Sequence, residues 1–574
     1  MKLLMLVPMH ISFESFMAPQ HNSRTFRKKD GRAYNSLSTD LPLGSLSISA
    51  YLKKNLDINV ELIDFNAEIN AMEDFTFDSF FECCDALLSK VTVLPDFIGV
   101  SSLFSPSFYN FLDCGRAARA NFPNAIVIGG GNIPTNSYKK IYQEMACDFF
   151  DGLCYGEGEK PMLELLQSAD PKKTLEESTS WITPRKIGRS FQPQHNVIED
   201  LDEIPFFDYD LCDLDKHASN QVAGSSFHSV KTKRGFHIMT SRGCPYLCTF
   251  CASHKTHGRK MRYHSLDRVR EDMSRLVNEY SAGTVIFQDD HFMADPDRVK
   301  SILTIVSQLG LESLYQNGLT LYALDRPMLE AFHSAGVRHL VLPVESGSEK
   351  VLKKQMRKPL KLRISQRVAR ECRELGIYTN SSVLIGMPGE TKADLDEGLA
   401  NLRTIKTNWY NIACASPIVG SEMYDIASEN NYITTETLGS DFRTAVIATE
   451  DFTAEYIQWF QYLMNLDLNF VNNNDVELGE YELALQAFSN VVRLRPDHAF
   501  AHFFSAYCHF KIGRNTEAGT GITAYLKNIE KPFWVDWVEF FQLPKRIEDI
   551  NAWRDFDYQG GRPSITSEKI AGKR

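Results

Sequence analysis

The chain has 574 residues, 43% hydrophobic and 24% charged, with a formal net charge of -11. That length exceeds what one hydrophobic core organises and implies about three or four domains. The acidic balance argues against a general nucleic-acid binder, which needs a positive field, and local basic runs at 231–234 and 259–262 read as solvated faces.

The opening MKLLMLVPMH is too short an apolar run for a secretory core and lacks a small-residue cleavage site. No run reaches the roughly 18 apolar residues of a membrane span. Twelve cysteines diluted through so long a chain do not suit a disulfide scaffold. A cytoplasmic protein without a membrane span is the expectation. Most cysteines, such as Cys83, Cys372 and Cys508, read as small buried hydrophobes.

From the N-terminus, strand-like stretches at 2–7, 60–64, 97–101 and 125–128 alternate with helical ones such as 46–54. That alternation predicts an α/β unit over 1–167, a doubly wound parallel sheet with helices on both faces. Ligands of such sheets sit beyond the strands' carboxyl ends. Those ends are small here: Ser101 and Ser102 after one strand, then Gly129, Gly130 and Gly131. Tight turns explain them equally well. GxGxxG is absent, so a dinucleotide site is not favoured.

Residues 168–230 are richer in Pro, Ser and charge and read as a linker. A second alternating block spans 231–440. Its predicted strands are 236–240, 284–288, 314–316, 339–344, 382–385 and 412–416, with amphipathic helices such as 266–279, 298–309 and 327–335 between them. Six such units predict a partial barrel working at its strand C-termini. The remainder, 441–574, reads as a small all-α domain with a polar tail from 560. Gly479 and Gly513 are 34 residues apart, as are Ala484 and Ala518, a spacing that resembles a tetratricopeptide repeat.

The chemistry concentrates in TSRGCPYLCTFCASH (240–254), directly after the first barrel strand. Cys244, Cys248 and Cys251 form C-x3-C-x2-C, and Gly243 and Pro245 help the loop turn. Three thiolates can hold one side of an iron–sulfur cubane and leave one iron open. Zinc, completed by His254, is the competing reading; it would make the protein a metal-bearing adaptor rather than an enzyme.

GCPYLCTFC resembles the signature of radical S-adenosylmethionine (SAM) enzymes. Further segments fall in that family's order: IFQDDHF with Asp289 and Asp290, LVLPVESGSEKVL with Glu345, SVLIGMPGET, and ASPIVGSEMY. The N-terminal LPLGSLSISAYL, IGVSS, IVIGGG and YGEGE are similar to the cobalamin-binding domain of one large subfamily. D-x-H-x-x-G is absent, so no lower axial cobalt ligand is marked. The resemblance implies a 4Fe-4S cluster held by Cys244, Cys248 and Cys251. It implies SAM near Phe250, Asp289, Glu345, Ser382, Leu384 and Ile385. It places cobalamin near Ser101, Ser102, Gly129, Gly130, Gly131, Gly156 and Glu157. An ion pair to Arg242 or Arg338 is the structural alternative for Glu345. The implied reaction is methylation of an unactivated carbon through the adenosyl radical and methylcobalamin, or else cyclisation or rearrangement on the same scaffold. The substrate would be a small molecule, a peptide or a carrier-bound group, and the electron donor a flavodoxin or ferredoxin.

Overall fold

The computed structural model describes residues 1–543 apart from 20–24, 188–190, 219–233, 318, 436 and 440–443. The basic run at 231–233, residues 188–190 and 219–230 of the expected linker and the tail from 560 lie outside these residues.

Six strands build the first sheet: β1 (Lys2–Val7), β2 (Asn59–Asp64), β3 (Phe97–Ser101), β4 (Ile126–Gly130), β5 (Gly152–Cys154) and β6 (Trp181–Ile182). Their order is β2-β1-β3-β4-β5-β6, all parallel except the last pair. β1 is buried along its whole length, as expected of a strand covered on both faces. One apolar layer lies on each face, around Phe111 and Phe150 on one and Trp181 and Leu165 on the other. The strand order reverses between β1 and β3, so the ligand crevice of this sheet opens at their carboxyl ends.

The second unit carries β7 (Arg234–Ile238), β8 (Ala282–Phe287), β9 (Glu312–Tyr315), β10 (His339–Glu345), β11 (Tyr378–Ile385) and β12 (Trp409–Cys414). They form two parallel triplets, β7-β8-β9 and β10-β11-β12, side by side at β9 and β10 without a ladder. This is the partial barrel expected from the alternation. Along β10, Leu340, Leu342 and Val344 are buried against helices, whereas His339, Val341, Pro343 and Glu345 are half-buried. The period of two thus marks the face lining the barrel interior.

The C-terminal helices share one continuous apolar core with the barrel. Helix Ala454–Leu466 and the turn after it cover the edge of β12. Asn469 treats that edge as a neighbouring strand would: its Oδ1 accepts from Tyr410 N at 2.8 Å and its Nδ2 donates to Tyr410 O at 2.9 Å. Gln461 donates to Ile412 O at 2.7 Å. Further on, helices Tyr481–Leu494 and Asn515–Asn528 begin 34 residues apart, each after a glycine with positive φ. No helix among the described residues is long and apolar enough to cross a membrane.

Candidate active site at the cysteine loop

Beyond β7 the chain pairs Ser241–Arg242 antiparallel with Arg262–Tyr263, closing a loop over 243–261. The two legs approach closely at Gly243. It holds φ 97°, and a Cβ there would lie 2.4 Å from Lys260 O. Thr249 ties the loop to the barrel: its N–H donates to Met356 O at 3.1 Å, its hydroxyl to Gln355 O at 2.5 Å, and its carbonyl accepts from Met423 N at 2.8 Å. Cys244, Cys248 and Cys251 are partly exposed, while the other nine cysteines are buried. Burial, with Cys251 and Asp290 nearby, pushes the Cys244 thiol up to about 12. Burial also raises Cys248 to about 11, against the opposing charge of Lys358. Metal binding must therefore displace protons from these thiols. Among the described residues no three His, Cys, Asp or Glu groups converge to hold a single ion. Three thiolates on one loop suit an iron–sulfur cluster, whose irons each take one cysteine.

The barrel mouth sorts the expected SAM residues. Glu345 ends β10 with φ 65° and pairs with Lys358 at 2.7 Å, not with Arg242 or Arg338. Ser382 and Leu384 are half-buried on the interior face of β11, and Phe250 is half-buried between Thr249 and Cys251. Two expectations are corrected. Ile385 is three residues from Ser382, hence on the opposite face, and it is buried in the helix-facing core. Asp289 is buried and already engaged: it accepts from Thr240 N at 3.1 Å, Thr240 Oγ1 at 2.7 Å and Ser241 Oγ at 2.6 Å. It anchors the start of the cysteine loop, and Asp290 is the carboxylate that acts on Cys244. Lys358 was not anticipated, because nothing local marks a lysine after a helix as facing thiols and a carboxylate.

In the crevice of the first sheet, Ser102 N donates to Gly130 O at 3.0 Å and its hydroxyl bonds Ser107. Ser101 is half-buried beside it. The glycines differ in purpose. A Cβ on Gly129 would strike Phe111 and Leu153, and one on Gly131, at φ 98°, would lie 2.4 Å from Ser102 O, whereas Gly130 opens onto free space. Leu103, Phe104 and Tyr109 beside it are 55%, 39% and 39% exposed, an apolar surface suited to a macrocycle. These small and apolar residues fit cobalamin.

Gly156 (φ 80°) lies against His195 and Thr256. Glu157, expected to line the crevice, instead commits its carboxylate to the junction between the two units. It accepts from Arg242 and Arg262, each at 3.0 Å, and from His257 at 2.8 Å. Glu159 joins Arg242 at 2.7 Å and Ser47 at 2.5 Å. Although burial opposes ionisation, the Arg242 charge and these hydrogen bonds hold Glu157 far below the usual carboxylate range. The first unit thus grips both legs of the cysteine loop.

At the far end of β11, Glu390 is buried and accepts from Gly386 N at 2.7 Å and Met387 N at 3.0 Å, and burial raises its carboxyl to about 7.

A cysteine loop at the mouth of a partial barrel, gripped by a sheet whose crevice opens beside it, defines a cobalamin-dependent radical SAM enzyme. Residues 238–400 match the Radical SAM superfamily and residues 37–166 the B12 binding domain, so the chain carries both domains. This sets aside the zinc adaptor. An uncharacterized methyltransferase of Pyrococcus horikoshii is 26% identical over 399 residues, covering 69% of this chain and 81% of the relative. Cytidylyl-2-hydroxyethylphosphonate methyltransferase of Streptomyces wedmorensis is 27% identical over 418 residues, covering 67% and 77%. An anaerobic magnesium-protoporphyrin IX monomethyl ester cyclase of Rubrivivax gelatinosus is 24% identical, covering 59% and 60%. The solved structure of the cobalamin-dependent SAM radical enzyme OxsB with aqua-cobalamin bound has a TM-score of 0.57 at 16% identity, covering 94% and 80%; at that identity the likeness is one of fold.

Proposed function

We propose that the protein methylates an unactivated carbon of its substrate, using a 4Fe-4S cluster, SAM and cobalamin. The observation that carries this reading is the junction of the two units: Glu157 and Glu159 of the cobalamin unit pair with Arg242 and Arg262 on either side of the cysteine loop. Two relatives, matched over 69% and 67% of this chain, are methyltransferases.

When bound, the cofactors supply reductive cleavage of SAM to a hydrogen-abstracting radical and a carrier for the methyl group. The chain supplies placement. Cys244, Cys248 and Cys251 would hold the cluster through three thiolates, short of a full set, so that SAM could bind to it. Glu345 would accept from the SAM amino or ribose groups, and Lys358, its ion-pair partner, would offer a cation to the SAM carboxylate. Phe250 and Leu384 offer apolar contact to the adenine. Gly130, Ser101 and Ser102 leave room for the cobalamin tail. Asp289 keeps the loop in register without touching a ligand.

The substrate would be a small molecule, a peptide or a carrier-bound group. A flavodoxin or ferredoxin of the cytoplasm would deliver the electrons. Anaerobically reconstituted protein given methyl-labelled SAM and cell extract tests the reading. Label in a new product carbon is expected. Deoxyadenosine with an unlabelled product would instead favour the cyclase-type reaction of the second reading, to which the cyclase relative lends support.

A further inference from the structure

Residues 350–370 carry nine lysines and arginines and no aspartate or glutamate, in a chain whose net charge is -11. Five of these cations are paired with carboxylates elsewhere in the chain, Arg357 with Glu422 and Lys358 with Glu345 among them. The other four, Lys353, Lys354, Lys361 and Arg363, are exposed, and none has a carboxylate partner among the described residues.

The backbone gathers these four. Lys353 and Lys354 lie on the turn Val351–Gln355, and Lys361 and Arg363 at the start of helix Leu362–Glu374. Between them the chain doubles back: Lys358 N donates to Leu352 O at 2.8 Å, and Leu362 N to Glu349 Oε1 at 3.1 Å. Like charges brought together without counter-charges repel one another, so the patch is one that a polyanion would relieve.

Its position says which polyanion. The carbonyls that end the turn hold the cysteine loop: Gln355 O accepts from Thr249 Oγ1 at 2.5 Å and Met356 O from Thr249 N at 3.1 Å. Thr249 directly follows Cys248, so one hydrogen-bonded step separates this surface from a cluster thiolate. A nucleic acid is disfavoured, because residues 350–370 include no Phe, Tyr, Trp or His on which a base could stack.

We infer that Lys353, Lys354, Lys361 and Arg363 form the docking surface for an acidic electron-carrier protein, which passes its electron to the cluster by way of Gln355, Met356 and Thr249. The inference rests on the cluster reading above. One electron moves for each encounter: a carrier flavin goes from its anionic hydroquinone to its neutral semiquinone, the cluster goes from its 2+ to its 1+ state, and no bond forms or breaks. Complementary charge speeds such encounters and loses its effect as salt rises.

Anaerobically reconstituted protein, mixed with flavodoxin hydroquinone and freeze-quenched, tests this through the electron paramagnetic resonance signal of the reduced cluster. At low salt the signal should grow about 10–100-fold more slowly in K353E/K354E/K361E/R363E than in the wild type, and added salt should bring the wild-type rate down toward that of the variant. Calorimetry with oxidised flavodoxin should show a parallel loss of affinity. K172E/K173E, which reverses two exposed lysines of the first unit, should match the wild type. Photoreduced deazariboflavin, small and uncharged, should reduce all three proteins alike. Equal flavodoxin rates in the quadruple variant and the wild type would overturn the docking surface, and a gel shift of total tRNA by the wild type alone would then assign the patch to nucleic acid. A quadruple variant that deazariboflavin also reduces slowly would make the patch a support of the cluster itself, which overturns the inference too. A wild type that holds no cluster, or one that deazariboflavin cannot reduce, overturns the cluster reading and this inference with it.

Discussion

Lys358 Nζ lies 2.7 Å from Glu345 Oε1, and the Glu345 backbone is left-handed at φ 65°. A non-glycine residue in that region costs about 1–3 kcal/mol and persists where the surroundings enforce it. The pair sits beside Cys248, so the strained residue aims a charge at the place where SAM must dock. E345Q should weaken SAM binding about 10–100-fold, the equivalent of about 1.5–3 kcal/mol for a charge-assisted hydrogen bond. E345G should weaken it similarly yet leave thermal stability unchanged or higher. Equilibrium binding of SAM to the reconstituted protein checks both, and unchanged affinity in E345Q would remove Glu345 from the site.

The cysteines separate by role. C244A, C248A or C251A should each abolish the brown colour and drop iron and sulfide well below the roughly four each of an intact cubane. C372A, deep in the barrel core, should keep the cluster and lose only stability. Metal analysis after anaerobic reconstitution distinguishes them.

The glycines offer a paired test. G131A meets Ser102 O at 2.4 Å in a left-handed conformation and should lower the melting temperature. G130L extends into open space, so it should leave folding intact and weaken cobalamin uptake, read from visible absorbance after desalting. Equal uptake by G130L and wild type would place the cofactor elsewhere.

Glu157 is a buried carboxylate between two arginines. E157A leaves Arg242 and Arg262 with less compensation and should cost about 3–5 kcal/mol, seen in denaturant unfolding. Because the folded carboxyl is held below its unfolded value, its contribution is present above the unfolded value and lost only on strong acidification. Stability of the junction should thus be flat near neutrality.

Glu390 predicts the opposite slope. Its folded carboxyl is raised from 4.5 to about 7. Between those values the folded state holds a proton that the unfolded chain releases, so stability falls as pH rises through this window. The full effect is on the order of 3 kcal/mol. E390Q keeps an oxygen for Gly386 and Met387 and should flatten the profile, measured as melting temperature against pH.

Much of this was legible in the sequence, for reasons that differ by residue. Strand alternation is local, so β1, β3 and the six barrel strands emerge from short windows. The cysteines are legible because a cluster needs its ligands on one loop. Asp289 and Asp290 were distinguishable only in space, since adjacent residues past a strand end diverge in direction. The choice between Leu384 and Ile385 depends on the phase of a period-two pattern, and β11 is nearly all apolar or small. Glu157 and Lys358 owe their roles to partners 85 to 105 and 13 residues away respectively, a relationship no local window contains.

The amides of Asn469 and Gln461 on β12 have one more implication. Trimming the chain to its two catalytic units would uncover a row of backbone donors and acceptors with nothing to satisfy them, a ready template for a second molecule. Such a shortened product should emerge from expression as aggregates rather than as a minimal enzyme, because the helical tail works as a built-in guard against self-association.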